Sequence, residues 1–216
     1  MRRVNQRLVV RSLRALLPVT VTVFAAAIVV LAFLHGRSPH KVAAVFAFAY
    51  LLWILAEARI TVRHPSQSAA ENSTLLPYAL SRAGTGIAAV VWPLWWAAWS
   101  PWMVVPIVVF VGAVTLRLVA IHTLGRFYSH HVVRYADHSI VTSGPYRYVR
   151  HPAYTGMLLA NAAFVAFFLN PLSVVLFGAL CVFVSWRIRV EERVLWSVPG
   201  YSDYASGRSR LVPGVW

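Results

Sequence analysis

Residues 153–186 read AYTGMLLANAAFVAFFLNPLSVVLFGALCVFVSW, and none of them is charged. The run is broken once, at Asn170-Pro171. Proline cannot continue a helix but suits the first position of one, so the break ends one helix and starts the next. A helix needs roughly 20 mostly apolar residues to cross about 30 Å of hydrocarbon. The stretch therefore predicts a hairpin of two somewhat short membrane helices.

Upstream, the pattern repeats. Ala83–Leu116 is a second charge-free run, interrupted at Ser100-Pro101. It reads as two helices joined by a tight turn, the second continuing past Arg117 toward Leu124. Ala15–Leu34 carries no charge, and Val42–Ile60 carries charge only near its end, at Glu57 and Arg59. The fold class is thus all-α, a polytopic membrane bundle of about six helices ending in a helical hairpin. The first segment follows a basic stretch, as a signal peptide does. Its apolar run exceeds the usual 7–15 residues and further hydrophobic segments follow, so it is read as a membrane helix.

Composition agrees. Of 216 residues, 59% are hydrophobic and 12% charged, against roughly 45–50% and about 25% in soluble domains. The formal net charge is +14, which alone suggests nucleic acid. Nucleic-acid modules are basic and polar together, and a mean hydropathy of +0.66 excludes that class. A single cysteine, Cys181, excludes a disulfide framework within the chain. With six crossings and both termini cytoplasmic, 18 of the 20 basic residues fall inside and only Arg37 and Lys41 outside. Such a bias is what the positive-inside rule predicts. Three stretches are polar: a loop over Thr61–Arg82, the span Gly125–Arg150, and the tail Glu191–Trp216. Residues 1–124 then form the N-terminal membrane helices. Residues 125–216 add a small cytoplasmic cap to the hairpin within one integrated membrane domain.

Two constellations carry candidate chemistry. The first runs from Gly144 through Pro145, Tyr146, Arg147, Tyr148, Val149, Arg150, His151, Pro152, Ala153, Tyr154 and Thr155 to Gly156. Pro152 disfavours a helical His151 and suits a first helical position, so His151 sits at the mouth of the fifth helix. The orphan N–H groups there, with Arg150 beside them, attract an anion. Gly156, one turn in, permits close approach of a ligand or another helix. The same residues also fit an arginine-rich interfacial anchor with Tyr146, Tyr148 and Tyr154 in an aromatic belt. The second constellation is Arg187 with Glu191 and Glu192, near the end of the sixth helix. Those glutamates are two of only six acids in the chain. Arg187 and Glu191 are four apart and share a helix face. Arginine before glutamate is the weaker order for helix support, and carboxylates oppose the dipole at a helix C-terminus. Local stabilisation therefore explains the pair poorly, although a structural salt bridge with neighbouring arginines remains open. His122, His130, His131 and His138 show no zinc-type spacing, and no metal site is expected.

The stretch from Leu124-Gly125-Arg126 to Trp216 resembles the isoprenylcysteine carboxyl methyltransferase family and related membrane phospholipid methyltransferases. The matching pieces are His138 with Ile140–Arg147, then Arg150-His151-Pro152 with Tyr154 and Gly156, then Glu191-Glu192 with Leu195. Gly200-Tyr201, Tyr204, Arg210 and Pro213 match in the tail, whose Val198-Pro199-Gly200-Tyr201 resembles bacterial members. The resemblance implies an enzyme using S-adenosylmethionine, enclosed on the cytoplasmic side. It implies His138, Val141, Gly144, Tyr146, His151, Tyr154 and Glu192 as cofactor contacts, with Arg150 and Gly156 at the same helix mouth. It implies Arg187 and Glu191 at the reaction centre. The partners it implies are membrane lipids and a lipophilic small molecule or lipidated substrate entering from the bilayer, and no nucleic acid. The localisation is an integral membrane protein, in the inner membrane if the source is bacterial. A membrane reductase of the steroid-reductase type, using NADPH, and a non-catalytic membrane scaffold are the alternatives.

Overall fold

The computed structural model describes Ala26, Val29 and residues 41–63, 69–125 and 140–216. Most of the first predicted segment, and His130, His131 and His138, lie outside the described residues. The described residues form six α-helices and two short 3-10 turns, with no strand among them. The chain divides into two units, 1–63 and 64–216.

In the first unit, the described helix is α1, Lys41–Arg63. Ala43, Phe46, Ala47, Tyr50, Leu51, Trp53 and Glu57 are buried. Their three- and four-residue spacing marks one face of a helix.

The second unit holds α2 (Ala69–Val91), α3 (Val104–Leu124), α4 (Pro152–Phe168), α5 (Pro171–Leu195) and α6 (Tyr201–Ser206). The predicted hairpin is present: Pro152 and Pro171 each occupy the first turn of a helix. Asn170 caps α5, its side chain accepting from Ser173 N at 2.9 Å. α4 packs chiefly along α3, and α5 along α2.

Two expectations are corrected. The predicted polar loop Thr61–Arg82 is mostly helix: it contributes the end of α1 and the first half of α2, with Pro77 inside the latter. The helix expected from Ala83 to Ser100 stops at Val91, and residues 92–100 are irregular before a 3-10 turn at Pro101–Met103. Period explains the first miss. Thr74, Tyr78, Ser81, Arg82 and Thr85 are all buried, so the polar half of α2 turns a polar stripe inward.

Two helices, Pro101–Leu124 and Pro171–Leu195, are long and apolar enough to cross a membrane, and Pro152–Phe168 is a shorter apolar helix. They are not the interior helices of a soluble core. Val104, Val105, Val108, Val111 and Leu118 on α3, and Val174, Val175 and Val182 on α5, are exposed. Apolar surface on that scale calls for an apolar medium, while each helix satisfies its own backbone. The chain is an integral membrane protein.

Candidate active site

The site is built where α4 begins and α5 ends. Ser143 is extended and Gly144 follows with φ of 57°, opening the 3-10 turn Gly144–Arg147. A side chain at Gly144 would be strained at that φ and would press on Thr123 of α3, 3.1 Å from its Oγ1. Tyr146 is buried with Ala120 and Ala153, and Leu124 and Val141 pack on them. His151 is non-helical, and its carbonyl accepts from Tyr154 N and Thr155 N, at 3.0 and 3.1 Å. Gly156 faces α3: an added Cβ would lie 2.6 Å from Ala113 O and 2.8 Å from Arg117 N. Its missing side chain lets two helix backbones touch.

The tail returns over this mouth. Gly200, at φ of 81°, turns the chain into α6. The Tyr204 hydroxyl donates to Tyr146 O at 2.9 Å. Arg150 N and His151 N donate to Ser209 O and Arg210 O, each at 2.9 Å. Thr155 Oγ1 donates to Leu211 O at 2.8 Å. The backbone therefore crosses the α4 mouth as a strap, stapled by main-chain and hydroxyl bonds.

Under the strap sit the two glutamates, and they do different things. Glu192, 2% exposed, takes Arg150 Nη1 and His151 Nε2 on Oε1, at 2.9 and 3.2 Å. Its Oε2 takes Arg210 Nε at 2.8 Å. The anion expected at the helix mouth is thus the chain's own carboxylate. Glu191 Oε2 instead accepts from the Tyr154 hydroxyl at 3.1 Å. That hydroxyl in turn accepts from Arg187 Nε at 3.0 Å. Arg187, 2% exposed, also donates through Nη1 to Thr74 Oγ1 at 2.8 Å.

Around the acid pair, the buried Arg150 Nε and Tyr201 hydroxyl lack a well-formed hydrogen-bond partner. Burial, with Glu192 nearby, raises the Tyr201 phenol well above its ordinary value, although Arg150 counters it. A buried donor left unmade costs about 1–3 kcal/mol. Their presence beside the acid pair fits a site that takes a further polar molecule.

The structure thus gathers Arg150, His151 and Glu192 in one ion-paired cluster, and Tyr154, Arg187 and Glu191 in a hydrogen-bonded chain beside it. Gly144, Tyr146 and Val141 form its adjoining wall, and Gly156 lies against α3. His138 lies outside the described residues. Sequence reasoning missed Thr74, Tyr78 and Arg117. Arg117, counted only as a charge, is 1% exposed and donates to Ala153 O at 2.7 Å. Gly156 carried the signal for Arg117, since close approach brings that arginine onto the first turn of α4.

Fold and site together define a helical integral membrane protein whose polar site lies at the mouth of a hairpin, closed by its own tail. Within that class, residues 104–197 match the isoprenylcysteine carboxyl methyltransferase (ICMT) family. The match begins one helix upstream of the resemblance read from the sequence and ends at residue 197, a few residues into the tail. The chain is 36% identical over 121 residues to the protein-S-isoprenylcysteine O-methyltransferase of Dictyostelium discoideum, covering 54% of this chain and 51% of that one. Identity to the enzyme of the same name from Saccharomyces cerevisiae is 40% over 96 residues, covering 41% and 38%. To protein-S-isoprenylcysteine O-methyltransferase A of Arabidopsis thaliana it is 36% over 114 residues, covering 50% and 57%. The matched regions span about half or less of the length of the first relatives named, all of them eukaryotic.

Proposed function

We propose that the chain is a membrane methyltransferase that moves a methyl group from S-adenosylmethionine to a lipophilic acceptor, foremost an isoprenylcysteine-like carboxylate. One observation carries this reading beyond similarity. Arg187 and Glu191, one turn apart on α5, are bridged by the Tyr154 hydroxyl, so a buried cation and a carboxylate stand side by side. A carboxylate acceptor and a cationic donor need that pairing.

The donor, when bound, supplies an electrophilic methyl on a sulfonium. Arg187 orients the acceptor carboxylate through charge-assisted hydrogen bonds. That carboxylate is ionised at neutral pH, so no general base is required. Glu191 accepts from the donor's ammonium or ribose. Arg150 Nε and the Tyr201 hydroxyl offer donors to its polar end, and the ring faces of Tyr146 and Tyr154 suit its adenine or sulfonium. Glu192 holds Arg150, His151 and Arg210 in register. Alignment of donor and acceptor is the main catalytic task, and the tail excludes water from it.

The same proposal covers topology. Six crossings put both termini in the cytoplasm, residues 125–216 form the cofactor cap, and the acceptor enters from the bilayer between apolar helix faces. The charge sorting supports this arrangement. The matched segment favours neither a nicotinamide-dependent reductase nor a scaffold. The test is transfer of labelled methyl from S-adenosylmethionine to N-acetylated S-farnesylcysteine and to a total lipid extract, using purified protein in lipid. A labelled methyl ester is expected; no labelled product from either acceptor sinks the reading.

A further inference from the structure

The buried polar stripe of α2 lies outside the donor and acceptor contacts proposed above. A buried polar side chain is costly unless hydrogen-bonded. Two members of the stripe serve their own helix: Ser81 Oγ donates to Tyr78 O at 3.0 Å, and Thr85 Oγ1 to Ser81 O at 2.7 Å. Thr74 and Tyr78 reach across instead. Thr74 Oγ1 accepts from Arg187 Nη1 at 2.8 Å. One turn along, the Tyr78 ring lies under the same guanidinium, its centroid 5.8 Å from the central carbon. The Tyr78 hydroxyl accepts from Arg82 Nη1 at 3.3 Å, which fixes the ring in turn.

The Arg187 guanidinium is therefore held from three sides. Thr74 takes one edge, Tyr154 takes the Nε edge, and Tyr78 supports a face. A guanidinium is a planar fork whose value lies in its orientation, and an arginine side chain otherwise spreads over many rotamers. Reaction geometry suffers when an orienting group is displaced by even an ångström.

We propose that Thr74 and Tyr78 are positioning residues for Arg187, and that through them α2 sets the preference of the site for a carboxylate acceptor. The proposal rests on the methyltransferase reading above. It assigns a role to the part of the chain upstream of the family match, which begins at residue 104. It also gives a reason for threonine at a position inside a membrane body: a hydroxyl is needed, and a methyl of equal size is not enough.

The experiment compares Thr74→Val, which keeps the shape and removes the hydroxyl, with Thr74→Ser, which keeps the hydroxyl. Both are made in the full chain in lipid. The probes are N-acetylated S-farnesylcysteine and its carboxamide, with S-adenosylmethionine affinity measured separately. For Thr74→Val the acceptor KM is expected to rise about tenfold or more, the size of one hydrogen bond to a charged group. Donor affinity is expected to stay unchanged, and the preference for binding carboxylate over carboxamide to shrink by the same factor. Thr74→Ser is expected to restore both. Wild-type-like kinetics in Thr74→Val, or equal damage in the valine and serine variants, overturns the positioning role and leaves the methyltransferase reading standing. A wild-type protein that neither binds nor methylates the carboxylate probe overturns this inference. If that protein also labels nothing in the lipid extract, the methyltransferase reading falls with it.

Discussion

The two ends of the α4–α5 hairpin face the same problem and solve it with different chemistry. A helix end exposes carbonyls or N–H groups with no partner in the helix. At the Asn170 end the partners are neutral. Asn170 Oδ1 accepts from Ser173 N, and its Nδ2 donates to Ala88 O and Ala89 O of α2, at 3.0 and 3.3 Å. The Trp95 and Trp96 indoles donate to Phe167 O at 3.1 and 3.3 Å. At the Pro152 end the Arg150 and His151 N–H groups go to carbonyls of the tail, and the side chains that tie the end together are charged: Glu192 with Arg150, His151 and Arg210. Neutral amides and indoles fix a turn that carries no charge at all. A charged cluster binds a strap of separate sequence and stays responsive to any charge brought into the site. Chemistry is thus concentrated at one end, and the other is architecture.

Glu192 is the residue on which the charged end depends most. Glu192→Gln keeps the shape and leaves three cationic or protonatable groups without their shared anion. Removing one partner of a buried pair typically costs about 3–5 kcal/mol. Glu192→Gln is expected to lose that order of stability in thermal unfolding in detergent, and its tail from Gly207 onward should become protease-sensitive first. A variant cleaved no faster than wild type in the tail would mean the main-chain bonds alone hold the strap.

Gly156→Ala comes next, at the same end but without charge. Its Cβ would meet backbone on α3, 2.6 Å from Ala113 O and 2.8 Å from Arg117 N, where no side chain can rotate away. Overpacking of this kind costs about 1–3 kcal/mol. The separation of α3 from α4 should also pull Arg117 from Ala153 O. Loss of thermal stability with near-normal donor affinity is the expected signature.

The hairpin was legible because its one break, Asn170-Pro171, is flanked by long uncharged runs. The helix mouth was legible because His151-Pro152 constrains its own backbone. α2 was not, because its first half reads as polar and contains Pro77, two features that ordinarily mark a loop. Only the four-residue spacing of Thr74, Tyr78 and Arg82 carried the contrary signal, and it needs Arg187 opposite it to make sense. Division of labour between Glu191 and Glu192 was invisible for another reason. Adjacent helix residues point about 100° apart, so which one meets the tail depends on how the tail returns. No pattern local to α5 contains that information.

At the neutral end, Asn170→Ala removes the cap of α5 and the tie to α2 together. A cap alone is worth about 1 kcal/mol. Because the amide can then no longer donate to Ala88 O and Ala89 O, about 2 kcal/mol in all is expected. Unlike Glu192→Gln, this loss should not depend on salt, since no charge is involved. A salt-dependent loss would erase the distinction between the ends.

The Tyr204 hydrogen bond makes the charged end sensitive to alkali. Burial raises its phenol to about 12, with Arg208 and Arg150 pulling the other way. Folding therefore favours the protonated form, which is the form that donates to Tyr146 O. The sign follows: this stabilisation is fully present below the unfolded value of about 10 and is lost as pH rises through about 12. Tyr204→Phe should cost about 1 kcal/mol at neutral pH. Between pH 10 and 12 it should fall off less steeply than the wild type.

The smallest effect is expected at the indole pair, and its pattern matters more than its size. Trp95 and Trp96 donate to one carbonyl, Phe167 O, so either indole still serves it when the other is gone. Trp95→Phe should cost about 0.5 kcal/mol, since Trp95 is 59% exposed and keeps most of its apolar ring surface. Trp96→Phe should cost somewhat more, because the buried Trp96 ring packs edge-on against Phe167, with centroids 5.5 Å apart. The double variant is expected to exceed the sum of the two, as a carbonyl near the end of α4 then loses both donors at once. A double-mutant cycle in thermal unfolding reads this coupling directly. Strict additivity would show that the indoles act as separate anchors.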